Sequence, residues 1–224
     1  ASGSVYYIVM ALLIIVIFLL MIWAIVIMTN AERRIPVQYA KKVVGRKMYG
    51  GQSSFIPIKV TMSGVLPVIF ASALLSLPSM IKDFAVRDTE SIAFKILSIF
   101  DYNRWTYALF YLVLIIAFNY FYIAIQYNPM EMANNLRKNS GTIPGIRPGQ
   151  PTADFISKVI SKITLVGALF IAAICIFPII MGMVTGINLA LGGTSIIIVV
   201  GVALDSVKQL ESQMMMRHYK GFLE

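Results

Sequence analysis

Residues 163–204 read ITLVGALFIAAICIFPIIMGMVTGINLALGGTSIIIVVGVAL, without one charged side chain. A helix rises about 1.5 Å per residue, so roughly 20 apolar residues cross a ~30 Å hydrocarbon core and this stretch is too long for one crossing. Pro178, Gly182, Gly186 and the pair Gly192-Gly193 interrupt it, and such residues favour breaks and turns, so it reads as two spans with an uncharged connection. Working outward, three further charge-free blocks run from Ala1 to Ala31, Val60 to Ile81 and Trp105 to Met130. The chain is 58% hydrophobic and 13% charged. A soluble domain carries about a quarter charged residues, so that class is excluded. The prediction is an all-α polytopic membrane protein with five transmembrane helices at 5–29, 60–81, 105–127, 158–180 and 190–208. Between them lie a cytoplasmic basic finger loop (30–59), an external loop (82–104), a cytoplasmic loop (128–157) and an external turn (181–189), with a tail at 209–224.

Basic residues orient the spans, because loops rich in Lys and Arg stay cytoplasmic. The first loop carries Arg33, Arg34, Lys41, Lys42, Arg46, Lys47 and Lys59. The third loop and the start of the next span carry Arg137, Lys138, Arg147, Lys158 and Lys162, and the C-terminal region Lys208, Arg217 and Lys220. The second loop has only Lys82, Arg87, Lys95 and Arg104, offset by Asp83, Asp88, Glu90 and Asp101. Loops one and three and the C-terminus are therefore expected in the cytoplasm and the N-terminus outside. The first block is too long for a signal peptide and lacks a basic leader and a small-residue cleavage site. Residues 1–4 read as a linker. A chain that starts outside in this way is expected to be preceded by another segment. Five is an odd number of crossings, so a duplicated unit would sit inverted against its twin, a recurring plan for membrane transport proteins.

Several chemistries find no support. Cys175 is the sole cysteine and reads as packing inside the fourth span; His218 has no second histidine or cysteine nearby, so no metal set is suggested. No pair of ionisable residues lies in mid-membrane, which counts against proton-relay or ion-coupled transport. No convergent Ser/His, paired acids or metal cluster suggests an enzyme. The second span is unusual in holding Thr61, Ser63, Gly64, Pro67, Ser72, Ser76 and Pro78. Small and hydroxylated residues suit close helix packing. They suit equally a mobile helix lining a path, with Gly64 and Pro67 weakening its backbone ladder. Composition does not separate the two. In the external loop, Ile92, Ile96 and Ile99 share a face at helical spacing and predict a short surface helix. The first cytoplasmic loop alternates Ile35, Val37 and Tyr39, turns through Gly45 and Gly50-Gly51, and resumes at Phe55, Ile56 and Ile58, the pattern of a protruding hairpin. The third presents Arg147 on Pro144-Gly145-Ile146-Arg147-Pro148-Gly149, a rigid turn suited to recognition. Basic residues on an ordered finger suit docking of a large, negatively charged partner as well as contact with membrane lipids.

Glu32-Arg33-Arg34-Ile35-Pro36-Val37-Gln38-Tyr39-Ala40 and Gly45-Arg46-Lys47-Met48-Tyr49-Gly50-Gly51-Gln52-Ser53 resemble the cytoplasmic finger between helices six and seven of bacterial SecY channels. Gly64 to Ser72 resembles helix seven of that family, Asn128-Pro129, 144–149 and Leu165 to Leu169 the loop before helix nine and that helix, and Gly192-Gly193-Thr194-Ser195 the start of helix ten. The resemblance runs in order through nearly the whole chain. It implies one half, helices six to ten, of an inverted-repeat, protein-conducting channel in a bacterial plasma membrane, with no catalytic chemistry and no cofactor. By that likeness Ile69 and Ile198 belong to an aliphatic pore ring. The first of these helices (60–81) and its neighbour (105–127) bound a lateral gate, with Ser72, Ser76 and Leu77 facing it. Arg46, Lys47 and Arg147 dock the ribosome or the SecA motor. The likeness also implies SecE-like and SecG-like subunits, signal peptides and unfolded precursors as partners. Helices one to five of the family pattern are missing, so this half is expected to need the N-terminal half to conduct. The alternatives are half of a small-molecule transporter, or a homodimer of oppositely inserted copies without transport, which the charge bias opposes.

Overall fold

The computed structural model describes residues 2–39, 42–44, 47–49, 53–85, 92–102, 104–185 and 193–220. Five of its helices are long and apolar enough to cross a membrane: α1 (Ser2–Asn30), α2 (Leu66–Ala85), α4 (Trp105–Gln126), α6 (Gln150–Thr185) and α7 (Gly193–Lys220). A short α3 (Ile92–Leu97) continues into a 3-10 turn at Ser98–Phe100, and α5 (Pro129–Lys138) follows α4. In lipid every backbone N–H and C=O must be paired within the segment, so uncharged runs this long become helices even where Ile and Val abound. On α1, Ile8, Leu12, Ile15, Leu19 and Trp23 are exposed, while Met21 and Ile25 enter the core.

Two apolar clusters organise the molecule. The larger joins Met21 and Ile25 of α1 with Val68, Ala71 and Leu75 of α2, Tyr111 and Ile115 of α4, Ile171 to Ile179 of α6 and Ile196, Ile197 and Val200 of α7. The smaller lies beneath the 30–59 and 128–157 loops and gathers Ile35, Val37, Ile58, Ile123, Leu136, Ile143, Ile156 and Ile160. Above it sits a sheet. Strands β1 (Glu32–Tyr39) and β4 (Ser53–Lys59) pair antiparallel with Ile35 opposite Ile56, and β5 (Gly141–Thr142) adds to the other edge of β1 through Gln38↔Thr142. Alternate residues of β1 point inward, which is why Ile35 and Val37 are buried and Arg34 and Pro36 are not; Arg33 shares the side of Ile35 but lies near the start of the strand and is exposed. A separate two-stranded ribbon pairs β2 (Lys42–Val44) with β3 (Lys47–Tyr49).

Element boundaries depart from the charge-free blocks. The second helix opens at Leu66 instead of Val60, because residues 60–65 form a turn in which Gly64 holds a left-handed φ of 62°. The loop 128–157 is structured. Asn128 caps α5 by accepting from the backbone N–H groups of Met130 and Glu131, with Pro129 at the first helical position. Helix α6 begins eight residues before Lys158 and runs through Pro178 to Thr185. A proline inside a membrane helix is tolerated when neighbouring groups re-satisfy the freed carbonyl. The predicted external turn therefore starts later than 181, and residues 186–192 lie outside the described part. Helix α7 continues past 208 through most of the predicted tail.

Candidate functional site

Helix α2 is the element on which most of the predicted site residues fall. It packs with Val68, Ala71 and Leu75 and turns Leu66, Ile69, Phe70, Leu74, Leu77 and Ile81 outward. Their spacing of three and four places them on one helix face. That face is apolar and largely exposed, with Phe70 at its edge against α4. Ile69 is 41% exposed on it. Ser72 is half-buried and Ser76 exposed, and each hydroxyl donates back along the helix, Ser72 to the Ile69 carbonyl at 2.9 Å and Ser76 to the Ala73 carbonyl at 2.7 Å. Such back-bonding satisfies a hydroxyl in lipid and loosens the helix ladder beneath it. Leu77 is exposed one position along.

Ile198 is half-buried on α7, between Ile197, which is buried, and Val199, which is exposed. The turn before α2 meets α7: a Cβ placed on Gly201 would lie 3.4 Å from Cγ2 of Val65. Consecutive spans alternate direction, so α2 and α7 run antiparallel. Ile69 lies four residues after Val65 and Ile198 three before Gly201, rises of about 6 and 4.5 Å in a common direction. Each isoleucine thus stands about one turn from the Val65–Gly201 contact.

Helix α4 lies beside α2. Phe70 and Phe118 stack with centroids 6.0 Å apart. Just before the N-terminal end of α2 the Ser63 hydroxyl donates to Oδ1 of Asn119 at 2.7 Å, both residues buried. At its C-terminal end Lys82 ion-pairs with Asp101, its ammonium also lies 5.5 Å from the centre of the Phe94 ring, and the Ser79 hydroxyl donates to the Phe100 carbonyl at 3.2 Å. Thus α2 is pinned at both ends by polar contacts and at its centre by packing. The start of α7 is fixed too. Gly193 approaches α6 so closely that a Cβ there would sit 2.6 Å from the Ile174 carbonyl oxygen, and the Tyr111 and Thr194 hydroxyls lie 2.9 Å apart.

Of the predicted docking residues, Arg147 is exposed on a braced turn. Gly145 and Gly149 on either side have φ of 82° and 108°, Ile146 donates to the Ile143 carbonyl, and the Thr152 hydroxyl donates to the Arg147 carbonyl at 2.8 Å. Arg46 lies outside the described residues. Lys47 is on β3, paired opposite Val44, and its side chain is outside the description. Sequence reasoning missed three features: the Ser63–Asn119 pair, the Lys82–Asp101–Phe94 strap and the β5 pairing that joins the 30–59 and 128–157 loops. Asn119 is a polar residue in an apolar span, a signal in itself, but its partner is remote in sequence.

The chain matches the SecY family model over residues 2–207. It is similar to the protein translocase subunit SecY of Streptomyces galbus, 44% identical over 207 residues that cover 92% of this chain and 47% of that protein. It is also similar to that of Thermotoga maritima, 41% identical over 92% of this chain and 46% of that protein. The chain thus spans about half the length of the curated relatives it matches. Among solved structures it resembles one described as the structure of a protein conducting channel, with a TM-score of 0.59 at 17% identity over 88% of this chain and 48% of that one. A second, described by a plug domain that stabilises the closed state of a translocation channel, aligns with the same TM-score over 89% of this chain.

Proposed function

The chain belongs to the SecY family, and from that premise we propose that it forms the C-terminal half of a Sec protein-conducting channel. In this reading it passes secretory polypeptides across the bacterial plasma membrane and releases hydrophobic segments into it. The relatives are translocation-channel subunits, not a classical enzyme family, and do not favour a small-molecule transporter. Any energy input would come from a partner. The observation that supports the proposal is the largely exposed apolar face of α2, with Ile69 and Ile198 each about one helical turn from the contact of Val65 with Gly201. A ring of β-branched aliphatic side chains closes around a moving chain yet excludes ions and water, because a hydrophobic constriction dewets. The same face, continued through Ser72, Ser76 and Leu77, would meet the other half of the channel along the lateral gate, with α4 behind it. Arg46, Lys47 and Arg147 would receive SecA or the ribosome. SecE-like and SecG-like subunits and the N-terminal half would complete the assembly, with the chain's N-terminus outside and its C-terminus cytoplasmic.

The test is a disulfide crosslink in the assembled channel. Cys175 is replaced by serine, one cysteine is placed at Ile69, and a stalled secretory precursor carries another. A precursor-dependent crosslink is the expected result. Its absence in an assembled, engaged channel would remove α2 from the polypeptide path.

A further inference from the structure

Behind the turn that feeds α2 lies a cavity of about 450 Å³, bounded by α1, α4, α5, α6, α7 and the segment 57–65. Its size falls within the ~300–1,000 Å³ range of single-ligand sites. The apolar lining includes Ile25 from α1, Ile171 and Ile174 from α6 and Ile197 from α7, all buried in the protein. Ser63 and Gly64 contribute another wall. Charged and amide groups come from three other places: Lys59 at the end of β4, Gln126 at the end of α4 and Asp205 on α7. All three are exposed, and neither Lys59 nor Asp205 ion-pairs with another described residue. The cavity lies on the interior side of α7: Ile197 lines it, whereas Val199 faces away.

Thr29, Thr61 and Tyr127 also line the cavity and give water partners on that side; among the isoleucines water finds none, and an empty apolar space there forfeits contacts on its walls. An alkyl chain suits that space. At the polar positions stand one cation and one anion, so a purely anionic head would meet Asp205 and a purely cationic one Lys59. We propose that this cavity binds a single-chain zwitterionic amphiphile, its alkyl chain among the four isoleucines, its anionic group at Lys59 and its cationic group at Asp205. The ligand packs against the Ser63–Gly64 turn and so supports the start of α2. The assignment rests on the cavity and its charges, not on the pore reading, and its readout is occupancy rather than transport.

The probe is an alkylphosphocholine with a diazirine at its chain end, added to the full chain in its assembled channel, in nanodiscs of phosphatidylglycerol. Photolabelling is expected on the peptides holding Ile171 to Ile174 and Ile197. Ile174→Trp fills the cavity and should lower that label about tenfold. Because a tryptophan there can disturb folding, the exposed positions give the second test. Lys59→Glu and Asp205→Lys should each weaken labelling several-fold, and the double exchange should restore it. Competition by phosphatidylethanolamine in the bilayer would identify the membrane as the source of the ligand. Competition only by soluble alkylphosphocholine would identify the aqueous phase. Label confined to lipid-facing Val166 and Leu169, or label at the isoleucines indifferent to all three charge variants, would overturn the proposal.

Discussion

Ser63 and Asn119 are separated by 56 positions in the chain and by 2.7 Å in space, both out of contact with solvent. Hydrogen bonds between membrane helices average only about 0.6 kcal/mol by double-mutant cycles, whereas leaving a buried polar group unpaired costs about 1–3 kcal/mol. The second figure governs a single replacement. Asn119→Leu should destabilise the chain by about 1 kcal/mol or more, and Ser63→Ala added to it should recover part of the loss, because the stranded hydroxyl is gone. Unfolding in detergent, run as a double-mutant cycle, measures this; additive losses would mean that the two side chains do not act as a pair. At the proposed constriction the reasoning is different, since in that reading Ile69 would act through its apolar surface. Asn at Ile69 or Ile198 should wet the ring and raise ion leak and the passage of poorly targeted precursors. An unchanged leak in both variants would remove these residues from the seal. Neither isoleucine was legible in composition, because any mid-span Ile looks like packing; only the family resemblance singled them out. Asn119 was visible as an exception in its span.

Spans were legible as elements because lipid imposes the simplest sequence rule: no charge over about 20 residues. Their ends were not, because they depend on what the neighbouring chain does. Leu66 became the start of α2 through the Gly64 turn, and the 150–157 stretch joined α6 although its residues are too polar to be read as membrane. The contacts that fix α2 were equally hidden. Lys82 and Asp101 looked like loop charges that merely offset each other, yet the fold brings them together, with Phe94 stacked near the ammonium. Lys82 is largely buried, so this pair is screened less than a surface one. Lys82→Met keeps the aliphatic stem and removes both the ion pair and the cation–π contact. It should free the C-terminal end of α2, raising disulfide trapping between α2 and the helix proposed to face it across the gate several-fold, with little change in α4. Equal trapping in variant and parent would show that packing alone sets the helix. The approach of α7 to α6 gives a harder constraint. Gly193→Val would drive Cγ atoms into the Ile174–Cys175 backbone and should cost about 2–3 kcal/mol, seen as a lower unfolding temperature.

On the scale of the molecule, the described strands β1 and β4 of the first basic loop and β5 of the second share one sheet and one core. Sequence reading treated the basic finger and the Arg147 turn as separate recognition elements, since a two-residue strand such as β5 leaves no pattern to detect. The sheet order β4-β1-β5 joins them, and Ile35, Val37, Leu136, Ile143 and Ile156 share a core beneath. In the proposed docking, a partner on Arg147 would push on the same unit that continues, through Lys59 and the Gly64 turn, into α2. Two outcomes follow if a motor or ribosome docks there. Arg147→Glu leaves the buried contacts intact and should preserve folding and insertion while weakening docking by about tenfold, with a smaller deficit at high salt because the lost term is electrostatic. Cysteines at Gln38 and Thr142, register partners across β1 and β5, should oxidise to a disulfide without changing docking or export, because the lock forbids no motion that a single rigid body makes. Export lost on oxidation and regained on reduction would show that the finger and the turn must separate during transport. The path from docking to α2 would then run through the β1–β4 hairpin alone.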